Sequence, residues 1–123
     1  LNGAFYSTGQ RCTASSRLIL TQGIHDRFVA RLVERMEDLK VDHALKPGTQ
    51  MGPVVDEKQL QQDLKYLEIG RSEGAKIVTG GVQLERETKG YYLAPTLFVE
   101  TNNKYAFTVL WYTKRKCLVQ LQQ

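Results

Sequence analysis

The densest chemistry in this chain lies in Phe5-Tyr6-Ser7-Thr8-Gly9-Gln10-Arg11-Cys12-Thr13-Ala14-Ser15-Ser16-Arg17. A cysteine acts as a nucleophile when its sulfur is accessible, its thiolate is favoured and amide donors stand ready for the oxyanion that attack creates. Small residues crowd this stretch. Gly9, three positions before Cys12, lets backbone and substrate approach closely. Arg11 beside the thiol, or a helix terminus near it, would favour the thiolate. Against this stands the ordinary fate of a lone cysteine, which is to pack as a small, inert hydrophobe.

Composition narrows the alternatives. The chain has 123 residues, 41% hydrophobic and 24% charged, enough for one domain with a modest core. No apolar run approaches the ~18 residues of a membrane helix, and the opening LNGAFYSTGQ has neither a basic nor an apolar leader region. That abrupt opening, without methionine or a helix-start signal, is expected of a chain that begins inside a larger fold. The net charge is +4, and Lys104, Lys114, Arg115 and Lys116 account for all of it, because residues 1–100 carry 13 cations and 13 acids. Four cations on a neutral body give little grip on phosphates, so no nucleic-acid partner is expected. The two cysteines, Cys12 and Cys117, form neither a CxxC pair nor a cluster with histidine. A reducing, cytoplasmic setting suits them, and no metal site is expected. His25 and His43 stand apart among polar residues and read as solvated.

Several elements would have to position the cysteine. Residues 1–10 read as a helix end passing into a loop at Ser7-Thr8-Gly9, and SSRLILT, residues 15–21, as a short strand covered on both faces. Ile24 to Lys40 carries Ile24, Phe28, Val29, Leu32, Val33, Met36 and Leu39 at spacings of three and four, which predicts a core-packing helix. Glu34, Glu37 and Asp38 balance its arginines and argue against a membrane-surface role. Pro47, Gly48, Gly52 and Pro53 mark residues 41–55 as loop. Asp56 with Gln59 forms a capping-box-like start for a second helix, striped by Leu60, Leu64 and Leu67 and ending between Gly70 and Gly74. AKIVT, residues 75–79, predicts a strand closed by the Gly80-Gly81 turn, which lacks a GxGxxG setting. Tyr91 to Glu100 predicts another, at a sheet edge or broken at Pro95. Tyr105 to Tyr112 is a further candidate strand. The whole is an α/β unit with two main helices and a few-stranded sheet.

The cysteine neighbourhood resembles the signature of the aldehyde dehydrogenase superfamily: an aromatic residue, three spacers, Gly-Gln, one spacer, Cys, then small residues and an arginine. Phe5, Gly9, Gln10, Cys12, Ala14 and Arg17 match it in place. The resemblance continues through the RLIL strand, the Gly52-Pro53 loop into Asp56-Glu57-Lys58, GGVQLE and YYLAPTLFVE, covering residues 1–102. Ser7 to Ser16 is most similar to bacterial 2-oxoglutarate semialdehyde dehydrogenases, although many members have asparagine where Ser7 stands. The resemblance implies a partial catalytic domain, incomplete without the rest of the family fold. It also implies a Cys12 thiolate that attacks an aldehyde, an oxyanion held partly by the Cys12 amide, and hydride transfer to NAD or NADP.

The departures shape the functional expectation. The family's nucleotide-binding domain, its Glu-Leu-Gly-Gly general base and its oxyanion-hole asparagine lie upstream of the matching stretch. Where members continue to Glu-Ile-Phe-Gly-Pro, this chain reads Lys104-Tyr105-Ala106-Phe107. Residues 103–123 are therefore expected to be a basic, aromatic tail outside the family pattern, as a frameshift would produce. The resulting expectation is a segment that carries the nucleophile, binds no NAD or NADP of its own and is inactive alone. A self-associating structural module is the rival. Its grounds are the stripes Phe28, Leu32, Met36 and Leu60, Leu64, Leu67, together with sheet edges left without partners, which would make a homo-oligomer.

Overall fold

The computed structural model describes residues 1–101 and Lys104 in full, and the backbone of 117–122. The helices are α1 (Asn2–Phe5), α2 (Gln22–Glu37) and α3 (Glu57–Ser72). The strands are β1 (Arg17–Leu20), β2 (Lys76–Thr79), β3 (Gln83–Leu84), β4 (Tyr92–Leu93), β5 (Thr96–Thr101) and β6 (Cys117–Gln122). Four of these form an antiparallel sheet in the order β1-β6-β5-β2, and β3 pairs with β4 in a separate ribbon. The α/β architecture with two 16-residue helices and few strands is the one read from the sequence.

β5 anchors the core. Thr96, Leu97, Phe98 and Val99 are all buried, because successive side chains leave the strand on opposite faces and both faces are covered. Leu97 and Val99 join Phe5, Leu20, Leu32, Met36 and Leu39 in one cluster, whereas Phe98 joins Leu60, Leu67 and Leu93 in the other. The strand expected over Tyr91–Glu100 divides at Ala94-Pro95 into β4 and β5, since proline cannot donate to a ladder. An edge position for this stretch is corrected: β5 lies inside the sheet, between β6 and β2. The stretch between Gly81 and Tyr91 supplies β3 for the ribbon with β4.

β1 departs from expectation as well. Among the described residues it is an outer strand, paired only with β6, and Ile19 is 57% exposed, so one of its faces is uncovered. β6 comes from the tail, and its backbone pairs with Arg17–Leu20 on one side and with β5 on the other. A register shift between Phe98 and Thr101 places an extra residue in β5 and interrupts its pairing with β6, and Glu100 there has φ 57°. The strand expected over Tyr105–Tyr112 lies outside the described residues.

Asp56 caps α3 as foreseen, its carboxylate accepting from the Gln59 amide at 2.7 Å. The reciprocal half of the box is absent. Gln59 instead turns its amide to Asp63 Oδ1, 2.8 Å away. Gly74, at φ 88°, follows the end of α3, while Gly70 is buried inside the helix. Gly80 and Gly81 make the tight turn after β2, where a Cβ on Gly80 would lie 2.2 Å from the Pro95 carbonyl oxygen. Among the described residues no helix is long and apolar enough to cross a membrane.

Candidate functional site

Cys12 sits in a turn between α1 and β1, and it is exposed. The packing-residue alternative therefore fails on accessibility. The chain reaches Cys12 through an unusual approach, because Ser7 (φ 57°, ψ 32°), Thr8 (φ 57°, ψ 22°) and Gly9 (φ 66°) are left-handed in succession. Glycine takes that conformation freely, whereas Ser7 and Thr8 each oppose it by roughly 1–2 kcal/mol. Strain of this kind persists only where neighbouring contacts hold it in place.

Those contacts come from residues 50–55. Thr8 is 7% exposed, and its hydroxyl lies 3.3 Å from the Gly52 carbonyl oxygen and 3.2 Å from that of Pro53. The Val55 amide donates to Gln10 Oε1 at 3.1 Å, and Gln50 Nε2 donates to the Tyr6 hydroxyl at 3.3 Å. Beyond the cysteine, the Ser15 amide donates to the Gly3 carbonyl at 2.8 Å. Cys12 is thus held from both sides. Arg11, expected to serve the thiol, donates instead to the Asn2 carbonyl at 2.6 Å. Among the described residues no acceptor lies on the Cys12 amide.

The receiving loop is itself pinned. Val41 bridges Met51, the Asp42 amide donates to Met51 O, and the Gln50 amide donates to Lys40 O. Lys46 sits 2.9 Å from Asp42 and 3.6 Å from Glu87, and Arg86 Nε donates to the Val41 carbonyl at 2.6 Å. The hydrogen bond from Lys46 holds the Asp42 carboxyl below its usual range, and Asp42 in turn raises Lys46. The two histidines do not join the site. His25 is largely covered and pairs its Nδ1 with Asp26 at 2.8 Å, which corrects its solvated assignment. His43 Nδ1 accepts from the Leu45 amide within its own turn.

A model of the aldehyde dehydrogenase family matches residues 1–108. The chain belongs to the aldehyde dehydrogenase family. It is 43% identical over 100 residues to the alpha-ketoglutaric semialdehyde dehydrogenase of Bacillus subtilis, a match covering 80% of this chain and 20% of that protein. With the 2,5-dioxopentanoate dehydrogenase of Saccharolobus solfataricus it shares 46% identity over 101 residues, again 80% of this chain and 20% of the relative. Among solved structures, the NAD+ complex of aldehyde dehydrogenase from Bacillus cereus superposes with a TM-score of 0.83 at 31% identity. That superposition covers 89% of this chain and 22% of the other. The chain therefore spans about a fifth of the length of the aldehyde dehydrogenases it matches.

The sequence pointed to Cys12 and did not single out its supports. Thr8, Gln50 and the Val55 amide carry no reactive group, and their role depends on a contact spanning 44 or 45 residues. The available signal was the pairing of a family-type Gly9-Gln10 with a family-type Gly52-Pro53, two motifs with no local reason to occur together.

Proposed function

We propose that this chain is the nucleophile-bearing segment of an NAD(P)-dependent aldehyde dehydrogenase acting on a semialdehyde. Cys12 is the nucleophile and its own backbone amide is an oxyanion donor. The observation that carries this assignment is an exposed thiol at the signature position, in a turn held from both sides, with no acceptor on its amide among the described residues. The Cys12 thiolate adds to the aldehyde carbon, the carbonyl π pair moves to oxygen, and the resulting thiohemiacetal oxyanion accepts from the Cys12 N–H. The two dicarbonyl-type relatives favour a semialdehyde as substrate.

The chain's own share ends at that adduct. Completing the oxidation needs NAD or NADP to accept a hydride, and the described residues do not fit a dinucleotide. The only paired glycines, Gly80 and Gly81, close on Pro95, Thr96, Arg71 and Ile77 and leave no phosphate cradle. We assign the segment over residues 1–102 no turnover by itself, and residues 103–123 no part in the chemistry. The aldehyde is its one small-molecule partner. The alternative of a homo-oligomeric structural module has no comparable observation behind it.

Limited iodoacetamide treatment with peptide mapping, with and without a semialdehyde, tests the assignment. The Cys12 peptide is expected to label early, and the aldehyde to slow that labelling. Labelling that the aldehyde leaves unchanged would remove Cys12 from the role of nucleophile. Reduction of added NAD or NADP by the chain and a semialdehyde would overturn the claim that the chain has no turnover.

A further inference from the structure

We propose that Thr8 and Gln10 are positioning residues for Cys12, and that residues 50–55 act as a clamp setting the angle at which the Cys12 amide and sulfur meet the aldehyde. The proposal rests on the assignment of Cys12 as nucleophile and goes further, because it gives a function to a loop 40 residues away in sequence.

Three observations converge. Ser7 and Thr8 hold a left-handed conformation that a free peptide would leave, so something must maintain it. The Thr8 hydroxyl, one donor placed between two carbonyl acceptors, ties the centre of that turn to Gly52 and Pro53. Gln10 accepts from the Val55 amide two residues before the thiol, which fixes the chain between the left-handed turn and Cys12. The Tyr6–Gln50 contact adds a third tie to the same loop. Each tie ends on residues 50–55, and that loop is braced separately by the Val41–Met51 bridge and by the Arg86 contact to Val41. A braced loop can hold the turn. An unbraced one would follow it.

Exposure and alignment are different requirements. A small alkylating agent needs only an exposed sulfur, whereas addition to an aldehyde also needs an N–H aimed at the developing oxyanion. Releasing the clamp should therefore weaken aldehyde addition and leave alkylation nearly unchanged. The polarity of each tie also predicts which replacements succeed. Thr8 serves as a donor, so Thr8→Ser keeps the tie and Thr8→Val removes it. Gln10 serves here only as an acceptor, so Gln10→Glu keeps the tie and Gln10→Leu removes it.

The test measures the semialdehyde concentration that half-protects Cys12 from iodoacetamide in the full chain, alongside thermal melting and the alkylation rate without aldehyde. Thr8→Val and Gln10→Leu are expected to raise the half-protecting concentration by about tenfold or more, as loss of attack geometry does. Thr8→Ser and Gln10→Glu are expected to return it close to the parent value. If the parent is protected and Thr8→Val and Gln10→Leu are protected equally well, the clamp has no positioning role and the proposal is wrong, while Cys12 keeps its assignment. If the parent itself is not protected, the nucleophile assignment fails and the clamp, which rests on it, falls with it. Should either apolar variant fail to melt cooperatively, the Ser and Glu variants still decide. Loss of protection in those two, with folding intact, would refute the polarity argument.

Discussion

α2 and α3 have the same length and lie on opposite sides of the same strand, yet they are secured in different ways. α3 carries its own stops: Asp56 caps its first turn, Gly74 takes the left-handed position beyond its end, and Leu60 and Leu67 are 2% and 0% exposed. α2 begins at Thr21 without a side-chain cap, and the first half of its expected stripe is uncovered, with Ile24 and Phe28 42% and 39% exposed. Only Leu32, Met36 and Leu39 are fully seated. A groove of about 710 Å³, floored by Val29, Val33, Val78 and Val99, remains between α2 and the sheet. The lesson is that equal periodicity does not mean equal anchorage. Periodicity says which face is apolar, and only the neighbouring elements determine how much of that face is covered.

The largest expected effect separates two stripe positions. Leu67→Ala should lower stability by about 2–5 kcal/mol in chemical denaturation, because it opens a cavity inside a closed cluster. Phe28→Ala should cost well under that, since the ring already meets solvent. Equal costs would mean that α2 is seated as firmly as α3. Next come the helix starts. Asp56→Ala should cost roughly 1 kcal/mol through loss of its cap, whereas Thr21→Ala should stay within about 0.5 kcal/mol, as for a surface change that breaks no bond.

The smallest effect concerns the one irregularity in the α3 stripe. Asp63 is 3% exposed, and one of its oxygens has no partner among the described residues. Burial raises its pKa above 3.8, and the hydrogen bond from Gln59 only partly opposes this. The folded state therefore holds the Asp63 proton more tightly than the unfolded one. That contribution is fully present below the unfolded value and is lost as pH rises through the folded pKa. Stability followed upward from pH ~4 should fall through this window, and Asp63→Asn should remove the decline. An unchanged slope would place the pH dependence elsewhere.

The legible parts of this molecule are those whose cause is local. Leu60 and Leu67 at helical spacing, Asp56 three residues before Gln59, glycine after α3 and Pro95 within an apolar run each act within a few residues. Each therefore leaves a mark that a short window can read. Cys12 was legible for another reason: the residue types around it form a family signature, and the 1–108 match agrees with it. The illegible parts are those decided at a distance. Whether β1 has a neighbour on its edge, and whether β5 lies inside the sheet, depends on β6, which arrives from residues 117–122. His25 looked solvated because its sequence neighbours are polar, but a side chain's burial is set by what folds over it. The hold on Cys12 is the clearest case. The sequence by itself determined which residue carries the thiol and which helices flank it. Only the tertiary structure brought Thr8 and Gln10 to Gly52, Pro53 and Val55, because a hydrogen bond between groups 44 or 45 residues apart exists only once the chain between them has folded.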